Sequence, residues 1–314
     1  MKSFESSKRK RISLICPVLN EEATIPIFYD RLQSVLSPLK NQYDFELIFV
    51  NNRSSDKTLE LLINLRRKDG SIQILTMSRN FGYQASLQAG MAYASGDALI
   101  VIDVDCEDPP ELIPSFIEKW NEGYDVVYGI RKRRSEMWLI KQCRNLFYHL
   151  LRLTSDMDIV LYMAEFALIS SVVKNAIINN QNTFPFLRTE IGYSGFERFG
   201  IPYKRAARIY GKTHYNLIRM IAFGAAGLLT SSTVLMRWAA YLFPLFVFFN
   251  ILVFAFYIAA GKIVSFHLLM IVDVLYAIFL LTIQGVYLAR VYKNGIGRPI
   301  YIIDPKKTHL DRPS

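Results

Sequence analysis

Two long apolar runs near the C-terminal end constrain this chain more than any other feature. Trp238–Ala260 spans 23 residues without a charge, and Ile263–Ala289 spans 27 in which Asp273 alone is charged. Each can cross a hydrocarbon core of about 30 Å. Buried core helices are the alternative, but a soluble domain rarely hides two such runs separated only by Gly261 and Lys262. The pattern therefore predicts two transmembrane helices within 237–290. Asp273 and Gln284 lie inside the second run. Polar groups at that depth usually face protein, which points to another helix and to a homo-oligomer built through these segments.

Charge gives the expected orientation. Arg219 and Arg237 precede the first run and Arg290, Lys293, Arg298, Lys306 and Lys307 follow the second, whereas the turn between them offers only Lys262. The positive-inside bias then puts both termini and the large N-terminal part in the cytosol. A net charge of +10 is spread along the chain and forms no basic stripe interleaved with aromatics, so nucleic acid is not the expected partner. Lys8 to Arg11 are followed by an apolar run too brief for a secretory signal peptide, broken at Pro17. Cys16, Cys106 and Cys143 are odd in number and far apart, which suits reduced thiols and neither a disulfide frame nor a zinc site.

The first hundred residues alternate two kinds of pattern. Ile12–Cys16, Glu46–Val50, Ile72–Met77 and Ala98–Ile102 are short β-prone apolar runs, and helical patterns lie between them at Glu22–Leu36, Lys57–Arg67 and Tyr83–Ala94. Strand alternating with helix predicts an α/β domain with a mostly parallel, Rossmann-like sheet. In such sheets ligands settle beyond the carboxyl ends of the strands. The residues found there are Pro17 to Glu22, Asn51 to Asp56, Ser78 to Gly82 and Asp103 to Asp108. A further helix is expected over 216–236, lying in the membrane interface before the first span. The resulting division is a cytosolic domain over 1–215, the interfacial helix at 216–236, the spans within 237–290 and a cytosolic tail at 291–314.

Asp103, Asp105, Glu107 and Asp108 place four carboxylates within six residues of a strand end. They would repel one another unless a cation shares them, and hard oxygen donors suit Mg²⁺ or Mn²⁺, which commonly bind through one or two carboxylates plus substrate phosphates. Alternation would turn Asp103 and Asp105 to one side, away from Val104. Asp108 is expected to cap a helix opened by Pro109 and Pro110. A metal there would neutralise a departing diphosphate. A lipid phosphate, largely ionised near neutral pH, would need cations more than a base. Arg131, Arg144, Arg205, Arg208 and Lys212 are the candidates, each of which also reads as a solvated or lipid-facing charge. Asn20, Glu21, Asn51 and Asn52 lie where a nucleoside would be gripped, and turn chemistry accounts equally well for Asn51 and Ser54.

Pro17-Val18-Leu19-Asn20-Glu21-Glu22, Val50 to Thr58, Ser78-Arg79-Asn80-Phe81-Gly82, Asp103-Val104-Asp105-Cys106-Glu107-Asp108-Pro109-Pro110 and Gly211-Lys212-Thr213-His214-Tyr215 together resemble the polyprenyl-phosphate glycosyltransferases of glycosyltransferase family 2, which include bactoprenol glucosyltransferases and dolichol-phosphate mannose synthases. The resemblance covers nearly the whole chain, both apolar runs included. It implies a GT-A fold and inverting transfer of a glucose-like hexose from a UDP-sugar to undecaprenyl phosphate at the cytosolic face of a bacterial inner membrane, for cell-surface polysaccharide or O-antigen modification. It implies metal at Asp103, Asp105 and Glu107, and donor contacts from Pro17, Leu19, Asn20, Glu21, Asn52, Asn80 and Asp103. Arg131, Lys212 and His214 would meet the acceptor phosphate, and Asp105, Glu165 and Arg208 would serve catalysis.

The chain departs from the family pattern at three places. Asn51-Asn52-Arg53-Ser54 stands where relatives commonly have Asn-Asp-Gly-Ser, which leaves the base open because Asn52 can donate as well as accept. Met163-Ala164-Glu165-Phe166-Ala167-Leu168 stands for Thr-Gly-Asp-Phe-Arg-Leu, so a base Asp becomes Glu165, and the Lys of the closing loop becomes His214, which titrates near neutrality. These departures keep two alternatives in view. One is an inactive relative serving as a membrane scaffold or regulator. The other is transfer to the hydroxyl of a lipid-linked saccharide, which would make Glu165 an obligatory base.

Overall fold

Lys10–Val18 forms the central strand β1, and Ile12, Leu14, Ile15 and Cys16 within it are fully buried. A strand covered on both faces reads as a continuous apolar run, which is why this segment lacks alternation. The computed structural model describes residues 9–131, 142, 163–180, 185–206, 233–260 and 263–311. It places β1 between Tyr43–Asn51 (β2) and Ala98–Val101 (β4), both parallel to it, and Ile72–Thr76 (β3) joins parallel outside β2. Beyond β4 the sheet changes direction. Val126–Arg131 (β5) and Met163–Ser170 (β6) pair antiparallel, β6 also runs antiparallel to β4, and Arg198–Tyr203 (β7) lies parallel to β5. The order β3-β2-β1-β4-β6-β5-β7 reverses its winding between β1 and β4, the switch point at which α/β sheets open a crevice.

Helices cover both faces. Ile25–Leu36 (α1), Thr58–Lys68 (α2) and Ile113–Asn121 (α4) pack on one side, with Phe28, Leu32, Leu62 and Phe116 in a core shared with Ile12 and Leu14. Tyr83–Tyr93 (α3), Ser171–Asn179 (α5) and Leu187–Ser194 (α6) pack on the other, with Leu87, Val173 and Ile191 around Ile15 and Val50. A β-carbon at Gly90 would overlap the Ile15 side chain, so this glycine sets how closely α3 approaches β1. The GT-A architecture expected from the sequence is present, with β1 and β2 longer than their apolar runs and β4 shorter. Because β4 ends at Val101, Asp103 and Asp105 sit on a turn, and strand alternation does not orient them.

Val234–Ala260 (α7) and Ile263–Ile296 (α8) coincide with the two apolar runs, and the stretches Met236–Ala259 and Leu269–Ile296 are long and apolar enough to cross a membrane. Their apolar side chains, among them Phe243, Leu245, Leu275 and Leu281, are exposed. The helices meet through Phe246 stacked on Tyr276 at 4.1 Å. One carboxylate oxygen of Asp273 is buried with no hydrogen-bond partner among the described residues. Most of the helix expected over 216–236 lies outside the described residues.

The chain beyond α8 returns to the sheet. Residues 300–311 run along the outer edge of β3, with Ile300, Tyr301, Ile303 and Leu310 packed against the second core and His309 exchanging two backbone hydrogen bonds with Ile74, at 2.9 and 2.8 Å. This tail belongs to the packing of the N-terminal domain.

Candidate active site

The loops at the carboxyl ends of β1 and β2 are tied to each other. Asn20, at a left-handed φ of 58°, accepts from the Ser55 backbone N–H through Oδ1 at 2.8 Å, while its own N–H donates to Ser54 Oγ at 3.0 Å. Glu21 N–H donates to Thr58 Oγ1, and Glu22 Oε2 accepts from Lys57 N–H at 2.9 Å. Asn51 Oδ1 accepts from Ser54 N–H at 2.9 Å, the turn chemistry weighed against a ligand role. Asn52, 4% exposed, uses both ends of its amide to join the next loop: Oδ1 accepts from Phe81 N–H at 2.9 Å and Nδ2 donates to Asn80 Oδ1 at 3.0 Å. Of the remaining expected donor contacts, Pro17 lies within β1 and Leu19 is exposed at 41% on the rim.

Asp103 and Asp105 face this rim from the switch point. Burial pushes Asp103 up to about 7, the charge of Asp105 adds to that, and a 2.8 Å hydrogen bond from the Tyr83 hydroxyl works against it. Asp105 is 5% exposed, and its Oδ1 accepts from Glu107 N–H at 3.1 Å. Cys106 takes a left-handed φ of 60°, so three residues of this conformation that are not glycine, Asn20, Arg53 and Cys106, stand just after β1, β2 and β4. Such backbone costs about 1–3 kcal/mol per residue and tends to gather where geometry is functional. Arg31 of α1 holds the turn from behind with two 2.7 Å hydrogen bonds to Glu111 and a third, at 3.5 Å, to the Cys106 carbonyl.

Glu165 on β6 completes this acidic group. It is 7% exposed, its charge raises both Asp103 and Tyr83, and Arg188 at the start of α6 forms an ion pair with it at 2.9 Å. The Tyr83 hydroxyl is held well above its ordinary range, first by burial and then by Asp103 and Glu165.

A second cluster stands beside the first. Asp108 is 1% exposed and pairs with Arg131 at 3.0 Å; Tyr203 donates to it, and Arg205 approaches at 3.9 Å. Asp108 is therefore a buried counter-ion: the short 3₁₀ turn that follows has Pro109 at its cap and no side-chain cap bond, which corrects the capping expectation. Burial opposes the charge on Arg131, but Asp108 and Tyr203 outweigh it and hold the guanidinium above its ordinary range. Glu107 turns to Arg205, and its carbonyl accepts from Ala206 N–H at 2.9 Å. Arg131 and Glu107, read from the sequence as a phosphate contact and a metal ligand, thus have ion-pair partners within the protein. Arg208, Lys212 and His214 lie outside the described residues, as does Arg144.

Sequence reasoning missed Tyr83, Arg188 and Tyr203. Tyr83 directly follows the Ser78–Gly82 motif, whereas Arg188 and Tyr203 carried no local pattern and are recruited by the antiparallel half of the sheet. Among the described residues no three His, Cys, Asp or Glu side chains gather as a metal-holding group. Asp103 and Asp105 nevertheless have the chemistry for a hard divalent cation, being two oxygen donors whose mutual repulsion a shared cation would relieve.

Comparison with known proteins assigns this arrangement to a reaction class. Residues 13–173, which hold most of β1, all of β2 to β6 and the acidic turn, match the family model described as Glycosyl transferase family 2. An uncharacterized glycosyltransferase of Bacillus subtilis, YkcC, is 36% identical over 306 residues, covering 95% of this chain and 94% of its own. An uncharacterized glycosyltransferase of Synechocystis, sll0501, is 32% identical, covering 93% and 94%. The bactoprenol glucosyl transferase of Shigella phage SfII is 32% identical, covering 96% of this chain and all of its own length.

Proposed function

Because the chain belongs to glycosyl transferase family 2 and is a glycosyltransferase, we propose that it moves a hexose from a nucleotide-sugar, a UDP-sugar in the first instance, onto polyprenyl phosphate at the cytosolic face of a bacterial inner membrane. The observation that carries this reading is the Asp103–Asp105 pair at the β1/β4 switch point, in a chain that matches a bactoprenol glucosyl transferase end to end, both span-length helices included.

In the proposed reaction an oxygen of the lipid phosphate attacks the anomeric carbon from the face opposite the leaving group. The new C–O bond forms as the bond to the diphosphate breaks, the configuration inverts, and the nucleoside diphosphate leaves with the electron pair. Mg²⁺ or Mn²⁺ would be held by Asp103 and Asp105 and would supply charge neutralisation for the departing diphosphate. Glu107 would join only by giving up Arg205.

The chain's own groups do the positioning. The interlocked Asn20, Ser54 and Ser55 loops form the floor for the nucleoside, and Asn52 fixes the Asn80 loop relative to that floor. Tyr83 keeps Asp103 oriented through its hydroxyl. Glu165, anchored by Arg188, faces the same space and would accept from sugar hydroxyls. Arg131 and Arg205, partly buried beside Asp108 and Glu107, would turn part of their hydrogen-bonding capacity to the acceptor phosphate, joined by Arg208, Lys212 and His214.

The test is transfer from radiolabelled UDP-hexoses to undecaprenyl phosphate in membranes with Mg²⁺. Product in wild type and none in Asp105→Ala supports the reading. Folded wild type that binds nucleotide yet yields no lipid product sinks it, in favour of an inactive relative or a saccharide acceptor.

A further inference from the structure

The tail meets the sheet at an informative end. Helix α8 stops at Ile296, Gly297 turns the chain with a left-handed φ of 66°, and Arg298 and Pro299 alone separate that turn from Ile300, the first tail residue packed on the domain. Four Cα steps from Ile296 to Ile300 reach at most roughly 14 Å. The contacts then follow in antiparallel order. Ser78 N–H donates to the Ile302 carbonyl at 2.9 Å, Asp304 N–H to the Thr76 carbonyl at 2.8 Å, and His309 pairs with Ile74; Asp311 ends against Gln73 and Arg66. The tail thus enters at the carboxyl end of β3 and leaves at its amino end. Since β1 to β4 are all parallel, the edge of the sheet nearest the end of α8 is the one that carries Asn20, Asn52 and Asp103.

A second contact sits at the same entry. Arg53 holds a left-handed φ of 64°, and its guanidinium pairs with Asp304 at 3.3 Å. A long side chain on backbone that favours glycine is strained, and the tail supplies the partner that holds it. Asp304 also caps the Pro305–Lys307 turn through Lys306 N–H, so the loop after β2 and the turn of the tail are tied together, eight residues beyond the last residue of α8.

Resting on the membrane reading above, we propose that residues 300–311 are a strap that aims the carboxyl edge of the sheet, and the acidic turn on it, at the lipid headgroups. The helix supplies the fixed point. Leu269–Ile296 has 28 residues and so about 42 Å of rise against a core of about 30 Å, which leaves Arg290, Lys293 and the last turn among the headgroups. The strap then brings the site edge within a few residues' reach of that level, where a lipid phosphate lies.

The length of the link provides the test. In the full chain in lipid nanodiscs, an insertion of about six Gly and Ser residues between Pro299 and Ile300 leaves the tail free to dock but adds about 13 Å of slack. Transfer to a long-chain polyprenyl phosphate embedded in the bilayer should fall about ten-fold or more, while transfer to a short, water-soluble polyprenyl phosphate should change less than about two-fold. Energy transfer from a dye on Lys68→Cys, in a Cys143→Ser background, to dyes in the headgroups should fall as the domain lifts. His309→Pro, which deletes the N–H donated to Ile74, should act like the insertion, and His309→Ala, which keeps it, should not. No loss with either acceptor, or equal loss with both, overturns the strap. A wild type that transfers to neither acceptor overturns the proposed reaction instead, and the strap then stands or falls on the energy-transfer change.

Discussion

The Tyr83 hydroxyl donates to Asp103 Oδ1 at 2.8 Å, opposing what burial and Asp105 do to the same carboxylate. The bond favours the charged form, so Tyr83→Phe should raise the Asp103 pKa further. The Mg²⁺ concentration for half-maximal transfer is expected to rise about three- to ten-fold, the equivalent of one ordinary hydrogen bond, and the acid limb of the rate profile should move to higher pH. Activity measured across Mg²⁺ and pH checks both. A Phe variant with wild-type Mg²⁺ dependence would show that the tyrosine only packs.

Asp105→Asn keeps the shape of the turn and removes one charge. Transfer should drop by about two to three orders of magnitude, and calorimetry should find that nucleotide binding no longer responds to Mg²⁺. Nucleotide binding as metal-dependent as in wild type would remove Asp105 from the metal site.

Arg188 and Glu165 are expected to be strongly coupled. Arg188→Ala leaves a buried carboxylate without its cation, a loss of about 3 kcal/mol, whereas Glu165→Gln removes the charge that needed pairing. The double variant should therefore melt at a higher temperature than Arg188→Ala alone. Additive losses in thermal melts would mean that the two residues act independently.

The parallel half of this molecule was readable in advance because each strand there is a run of buried aliphatic residues followed at once by its functional loop. Ile12–Cys16 leading into Asn20 is one example, and Ala98–Ile102 leading into Asp103 is another. The antiparallel half was not. Glu165 was found only through a family motif, and Arg188 and Tyr203 reach the site from α6 and β7, elements whose neighbours are far away in sequence. The roles of individual side chains were harder still, since Asn52 and Asp108 are of types that suit ligands, turns or ion pairs alike. What decides between those roles is where the next loop lies.

Asp69 offers a pH-dependent measure of stability away from the site. Burial raises its pKa, but hydrogen bonds from Ser71 and Tyr29, the latter at 2.7 Å, outweigh burial and leave it below the ordinary carboxylate range. A depressed folded-state pKa contributes stability above the unfolded value near 4 and loses it as the pH falls through the folded value. Asp69→Asn should lower stability by roughly 1 kcal/mol at pH 7, a modest figure because the group is partly solvated, and thermal melts should find that the gap narrows below about pH 4.

Asp273→Leu tests the proposed membrane hairpin. If the buried carboxylate oxygen meets another copy of the chain, the variant should change the assembly state in detergent or native lipid, read by mass photometry. Unchanged assembly and activity would leave that residue without a role between subunits.

The tail also has a consequence for the order in which this protein is made. The edge of β3 emerges from the ribosome about 235 residues before His309, the last residue to bridge it, and in the proposed topology both apolar helices are inserted in between. At about 5–20 residues per second, that edge waits roughly 10 to 45 s with its backbone groups unpaired, long enough to invite pairing with a neighbouring nascent chain. In that topology, insertion of the hairpin is the step that lets the enzyme finish its own sheet, and a chain that stalls at the translocon should be a sticky, protease-sensitive one.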